Sequence, residues 1–152
     1  MPGTNIDELA ALLRYCEQFS QMMLAKAGEF HPFGAFVNSA GKIEALGAHT
    51  GSDNPPDQDV YALLESAVSS MRNDGKLSAY ALAANVNIPQ SLESHYPDGI
   101  RVHVESAGYS RLIYTPYKML QYGALRRFLG FLPLVEYADA IAVDVPSKVF
   151  AS

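Results

Sequence analysis

The stretch DGIRVHVESAGYSRLIYTP, residues 98–116, decides the fold. Ile100, Val102 and Val104 alternate without error against Arg101, His103 and Glu105, the period-two pattern of a strand with one face on a core and the other toward solvent. Ala107-Gly108 is a turn signal, YSRLIYT resumes the β pattern, and Pro116 closes it. Upstream, LSAYALAANVNI (77–88) places Leu82, Ala84, Val86 and Ile88 on one face and Asn85 and Asn87 on the other. The polar loop PQSLESHYPDG (89–99) separates it from the next strand. Three successive strands joined by short connections predict an antiparallel meander.

Working toward the N-terminus, PFGAFV (32–37) and KIEALGAH (42–49) are β-type runs joined by NSAG, whose Asn and Gly tolerate the positive φ of a tight reversal. The spacing predicts a hairpin over 33–49. Before it, Asn5 followed by Glu8 reads as a capping box. Ile6, Leu9, Leu13, Cys16, Phe19 or Ser20, Met23 and Ala27 then recur at three- and four-residue steps, predicting a helix over 5–27 with Gly28 as its left-handed stop. After the hairpin, TGSDNPPDQD (50–59) supplies turn residues, a cap at Asp53 or Asn54, and prolines suited to a helix entry. Val60, Leu63, Leu64, Ala67, Val68 and Met71 predict a second helix that ends at Asp74-Gly75.

In the tail, Met119, Tyr122, Leu125, Phe128 or Leu129, and Leu132 fit a further helix, which Gly123 and Gly130 weaken. DAIAVDV (139–145) alternates as a strand, held to an edge by Pro146. The expected architecture is α+β: an antiparallel sheet of about five strands with two or three packed helices, in helix–hairpin–helix–meander–helix order. One domain spans 1–152, with a core over 5–118 and an apolar C-terminal extension over 119–152.

The chain has 152 residues, 49% hydrophobic and 18% charged. A chain of that length buries roughly two-thirds of its unfolded surface. Its formal net charge of −5 repels a phosphate backbone, so nucleic acid is not an expected partner. The most apolar short run, FLGFLPLV (128–135), is broken by Gly130 and Pro133 and is far shorter than the ~20 residues of a spanning helix, so no membrane span is expected. A single cysteine, Cys16, and a start without signal-peptide character fit a reducing cytoplasm.

The element order resembles the longin, profilin and roadblock-like group of small domains, which implies protein–protein assembly. More locally, KAGEFHPFGAFVNSAGKIEALGA, DGIRVHVES and YTPYK resemble a family of small bacterial proteins that carry a Pro-Phe-Gly hairpin segment and a Pro-Tyr-Lys segment. That resemblance implies no activity for any residue, so function is read from the site.

Candidate chemistry is sparse. His31 and His49 stand at opposite ends of the predicted hairpin, where antiparallel pairing would bring them together as a base or metal site. His95 falls in the polar loop and His103 on the outward face of its strand. Cys16 is a nucleophile only if its pKa is lowered, and its place on the apolar stripe points instead to a small buried hydrophobe. No catalytic or phosphate-binding motif accompanies these residues, and neither cofactor nor metal is expected. Pro32-Phe33-Gly34 fixes a strand entry, or leaves space at Gly34 for a ligand beside Phe33 and Phe36. Tyr114, Tyr117 and Lys118 form either a strand end or the rim of an interface. The favoured function is a non-enzymatic protein-interaction or small-ligand-binding module, self-associating as a homodimer. The alternative is a small enzyme or metal-binding protein using the hairpin histidines.

Overall fold

The computed structural model describes residues 5–47, 55–120, 130 and 134–150. Helix α1 (Ile6–Ala27) begins where the Asn5 side chain accepts from the backbone N–H groups of Asp7 and Glu8. It ends at Gly28, whose φ of 76° lets its N–H reach the Leu24 carbonyl. Strands β1 (Phe33–Asn38) and β2 (Ile43–Leu46) form the hairpin, helix α2 (Asp57–Asn73) follows, and β3 (Leu77–Asn87), β4 (Asp98–Ser106) and β5 (Tyr109–Leu120) form the meander. Two short strands, β6 (Leu134–Tyr137) and β7 (Ile141–Asp144), complete the order.

All pairing is antiparallel, in the order β2-β1-β3-β4-β5, with β6 and β7 lying end to end along the outer edge of β5. Between them the Ala138 N–H donates to the Pro116 carbonyl at 3.0 Å. The protein is therefore α+β with two helices and a sheet of six to seven strands, more than the five expected. The two strands beyond β5 lie in the C-terminal extension: β7 falls within the expected DAIAVDV strand, and β6 has no counterpart among the expected elements. No helix among the described residues is long and apolar enough to cross a membrane.

The two helices cover opposite faces. Leu9, Leu12, Cys16 and Leu24 of α1 pack on Ala35, Val37, Ala79, Ala81, Ala83, Ile100, Val102 and Val104. Val60, Leu64 and Val68 of α2 pack on Phe36, Tyr80 and Leu82 from the alternate positions. Tyr80 and Leu82 thus meet α2 while Ala79, Ala81 and Ala83 meet α1, and β3 is buried on both sides. The buried line of α1 runs through Leu9, Leu12, Cys16, Ser20 and Leu24, rotated from the expected stripe, so Ile6 is 66% exposed.

Two sequence expectations are corrected. His103 and Glu105 do not face solvent: they are 2% and 0% exposed, because Tyr80, Ser110 and residues 148–150 surround them on that face of β4. The helix expected from Met119 does not begin there, since β5 continues through Leu120. Tyr117 is buried on the α1 face and its hydroxyl donates to Asn85 Oδ1 at 2.6 Å, which ties this part of the chain to the sheet. Most of that expected helix, and the expected Asp53 or Asn54 cap, lie outside the described residues; α2 is preceded by Pro56, which makes no side-chain cap bond.

Candidate functional site

Three turns and the start of α1 converge at one end of the sheet. In the β1–β2 turn, Asn38 Oδ1 accepts from the N–H groups of Ala40 and Lys42, at 2.9 and 3.0 Å, and Gly41 adopts a φ of 78°. The α2–β3 turn passes through Gly75 and the β4–β5 turn through Ala107-Gly108. Between them lies a cavity of about 550 Å³. Leu9, Leu77 and Ala79 give it an apolar floor, whereas Asn5, Glu8, Asn38 and Arg72 supply polar groups. Phe150 stands on its α2 side.

Phe150 is held by a buried polar cluster on the α2 face. Tyr80 and Glu105 are paired across β3 and β4, and the Tyr80 hydroxyl donates to Glu105 Oε1. The same carboxylate accepts from three consecutive backbone N–H groups: Lys148 at 3.1 Å, Val149 at 3.0 Å and Phe150 at 2.8 Å, all to Oε2. A carboxylate without solvent exposure requires such donors, because desolvation is otherwise uncompensated. The Phe150 ring stacks on Tyr80 at 6.4 Å between centroids, and the Arg72 guanidinium lies 4.8 Å above it. Lys148 Nζ reaches Glu65 Oε2 at 3.3 Å. Burial, then the bond to Glu105, pushes the Tyr80 pKa far up, so the residue stays a phenol and a donor.

His103 Nε2 stands 2.9 Å from Ser110 Oγ and 3.9 Å from Glu105 Oε1. The trio does not form a charge-oriented nucleophile. The carboxylate approaches the same ring nitrogen as the serine, whereas an orienting acid must hold the other one. Ser110 Oγ moreover lies 3.3 Å from the Pro146 carbonyl, a second acceptor for its single hydroxyl proton. Burial lowers the His103 pKa, favouring a neutral imidazole. The cluster satisfies buried polar groups and places the C-terminal residues.

The residues singled out from sequence are dispersed. His31 is exposed, and its Nδ1 bonds Asp57 Oδ1 at 2.9 Å, tying the approach to β1 to the first turn of α2. His49 lies outside the described residues. Cys16 is fully buried and its thiol pKa is pushed up to about 12 by burial and then by Glu17, so it is no nucleophile at neutral pH. Phe33 sits on the α1 side against Phe19 and Phe30, while Phe36 packs under α2. The space beside Gly34 is filled by Leu82 Cδ2 and the Ala81 carbonyl, which would lie 2.6 and 2.8 Å from an added Cβ. Tyr114 is buried opposite Arg101, Tyr117 is on the α1 face, and Lys118 is exposed. None of the described residues among them lines the cavity. Among the described residues, no group of three or more His, Cys, Asp or Glu side chains converges to hold a metal.

Sequence reasoning missed Arg72, Tyr80, Glu105 and Phe150. The available signal was LSAYALAA, apolar on both faces, which marks a strand covered on both sides and so implies that the alternate residues of its neighbour β4 are covered as well. Comparison with protein-family models, with curated proteins and with solved structures finds no match to this chain.

Proposed function

We propose that the chain is a non-enzymatic binding module whose ligand occupies the cavity at the turn end of the sheet. The observation that carries this reading is the composition of that cavity, with an apolar floor, a carboxylate at Glu8, a guanidinium at Arg72 and the Phe150 ring on one side. Such a mixture suits a small molecule with an apolar body and hydrogen-bonding ends. An amide-resolved NMR titration with a mixture of small aromatic acids and amines tests it. Shifts clustered at Ser39, Gly41, Gly75 and Ala107 are expected. Shifts that are absent, or scattered over the surface, overturn the assignment.

The bacterial setting has its support in the family resemblance, and the reducing cytoplasm in a chain with one cysteine, Cys16, and hence no internal disulfide. Self-association as a homodimer has its support in β2, an edge strand of four residues that pairs only with β1 among the described residues, with Glu44 and Ala45 exposed. Sedimentation equilibrium decides this part: a strict monomer at high concentration removes the dimer and leaves the cavity reading intact.

A further inference from the structure

We infer that residues 147–150 are a latch, held by the Glu105 carboxylate, that forms and releases one wall of the cavity. The inference rests on the cavity reading for its purpose, but the latch itself is a property of this chain that can be measured without a ligand.

The argument starts from an asymmetry between anchor and segment. Glu105 is fully buried in a central strand, whereas Pro146 and Lys148 are exposed and Val149 and Phe150 only half-buried. The segment belongs to no helix or strand, and its N–H groups at 148, 149 and 150 find their acceptor in the side chain of Glu105 rather than in a ladder. Segments with little burial and few backbone partners open at low free energy while the sheet beneath stays intact. Lifting this one costs Glu105 three of its donors and leaves it Tyr80, since the nearest nitrogen of His103 is 3.9 Å away. The carboxylate therefore sets how firmly the segment closes, through charge-assisted bonds stronger than neutral ones.

Closure also shapes the cavity. Phe150 donates its N–H to Glu105 and places its ring between Tyr80, Arg72 and the cavity. When the three bonds to Glu105 break, that wall leaves with the segment and Arg72 loses the ring beneath it. The Glu65–Lys148 ion pair, at the groove beside α2, is too exposed to hold the segment alone.

Lys148 gives the experiment its readout, because trypsin cleaves after lysine and the Lys148–Val149 bond lies within the clamped stretch. Cleavage there is followed by mass spectrometry on the full chain under native conditions, with cleavage at Arg101 and Arg111 in the sheet as the gauge of global unfolding. Glu105→Gln, which keeps the shape and removes the charge, is expected to speed cleavage at Lys148 about 10-fold or more while cleavage at the two sheet arginines stays slow. Phe150→Ala leaves Glu105 and the sheet untouched and is expected to act in the same direction by a smaller factor, which keeps the test open if the glutamine variant folds poorly. Cleavage at Lys148 that is unchanged in both variants, or that rises only in step with cleavage at Arg101 and Arg111, overturns the latch. A selective rise at Lys148 together with an NMR titration that finds no ligand leaves the latch standing and removes the cavity reading.

Discussion

Gly34→Ala tests whether the second residue of β1 is a packing contact or a ligand space. A Cβ there would stand 2.6 Å from Leu82 Cδ2 and 2.8 Å from the Ala81 carbonyl oxygen. The leucine methyl can swing away at the cost of a poorer rotamer, but the carbonyl belongs to β3, paired on both sides with β1 and β4, and cannot move alone. Overpacking of this kind costs ~1–3 kcal/mol. Replacing glycine by alanine also removes freedom from the unfolded chain, which returns ~0.4–1 kcal/mol. The net expectation is a loss centred on ~1.3 kcal/mol within a span of ~0–2.6 kcal/mol. For a chain of this size the central value is a fall in Tm of about 3–5 °C. Urea unfolding followed by far-UV circular dichroism, with calorimetry for Tm, measures it.

Leu82→Ala in the same background sharpens the test. The double variant should be less destabilised than the sum of the singles, by ~0.5–1 kcal/mol, because one of the two clashes has gone while the carbonyl clash remains. Gly41→Ala provides the contrast: nothing lies within 4 Å of its added Cβ, but its φ of 78° is left-handed, so its cost of ~1–2 kcal/mol comes from backbone conformation and no neighbouring truncation relieves it. A Gly34→Ala protein as stable as the parent, or more stable, refutes the crowding argument. Loss of ligand binding with stability unchanged would instead return Gly34 to the role of ligand space.

The remaining predictions concern titration and reactivity. His103 has a lowered pKa in the fold, so the unfolded chain binds its proton first as pH falls; stability contributed by the neutral buried ring is complete above about 6.5 and declines below it. Urea midpoints measured from pH 7.5 to 5 should fall with acid, and His103→Gln should flatten that slope, whereas an equally steep slope in the variant would assign the loss to other groups. Cys16, buried and with its thiol pushed up to about 12, should resist a disulfide-exchange reagent in the native protein and react in urea at a rate set by the unfolded chain; rapid native labelling would contradict its burial between α1 and the sheet.

The local elements were legible because each carried its own stop and start chemistry. Asn5 and Gly28 bound α1 as expected, and the Asn38–Gly41 reversal follows from an Asx-type side chain and a left-handed glycine. The path beyond Pro116 was not legible for a physical reason: Tyr117, Met119 and Tyr122 satisfy a three-residue step as well as part of a period of two. What favours the strand is a tertiary contact, the bond from Tyr117 to Asn85, together with the pairing of Tyr117 through Leu120 with β6, a partner that comes later in the chain.

The candidate site was hidden because the sequence does not say which face of the sheet each helix covers. Two amphipathic helices can share one face of an antiparallel sheet or divide between the two, and here α1 and α2 take opposite faces, so both faces of the meander are covered. In that arrangement the alternation in IRVHVES no longer separates core from solvent; it separates the apolar contacts of one helix from the polar contacts on the other face. Glu105 is then the residue most in need of explanation, a carboxylate in the middle of a covered sheet, and its partners must be donors brought from elsewhere in the chain. Tyr80 supplies one hydroxyl and β3 has its backbone groups engaged, which leaves a late segment to bring free N–H groups across the face. Residues 148–150 do so, after β7 has returned the chain along β5 to Ser110, whose carbonyl accepts from Val145 at 3.1 Å and sets the direction of the crossing. The burial of one acidic side chain thus accounts for where residues 148–150 lie, and Phe150 reaches the cavity as a consequence.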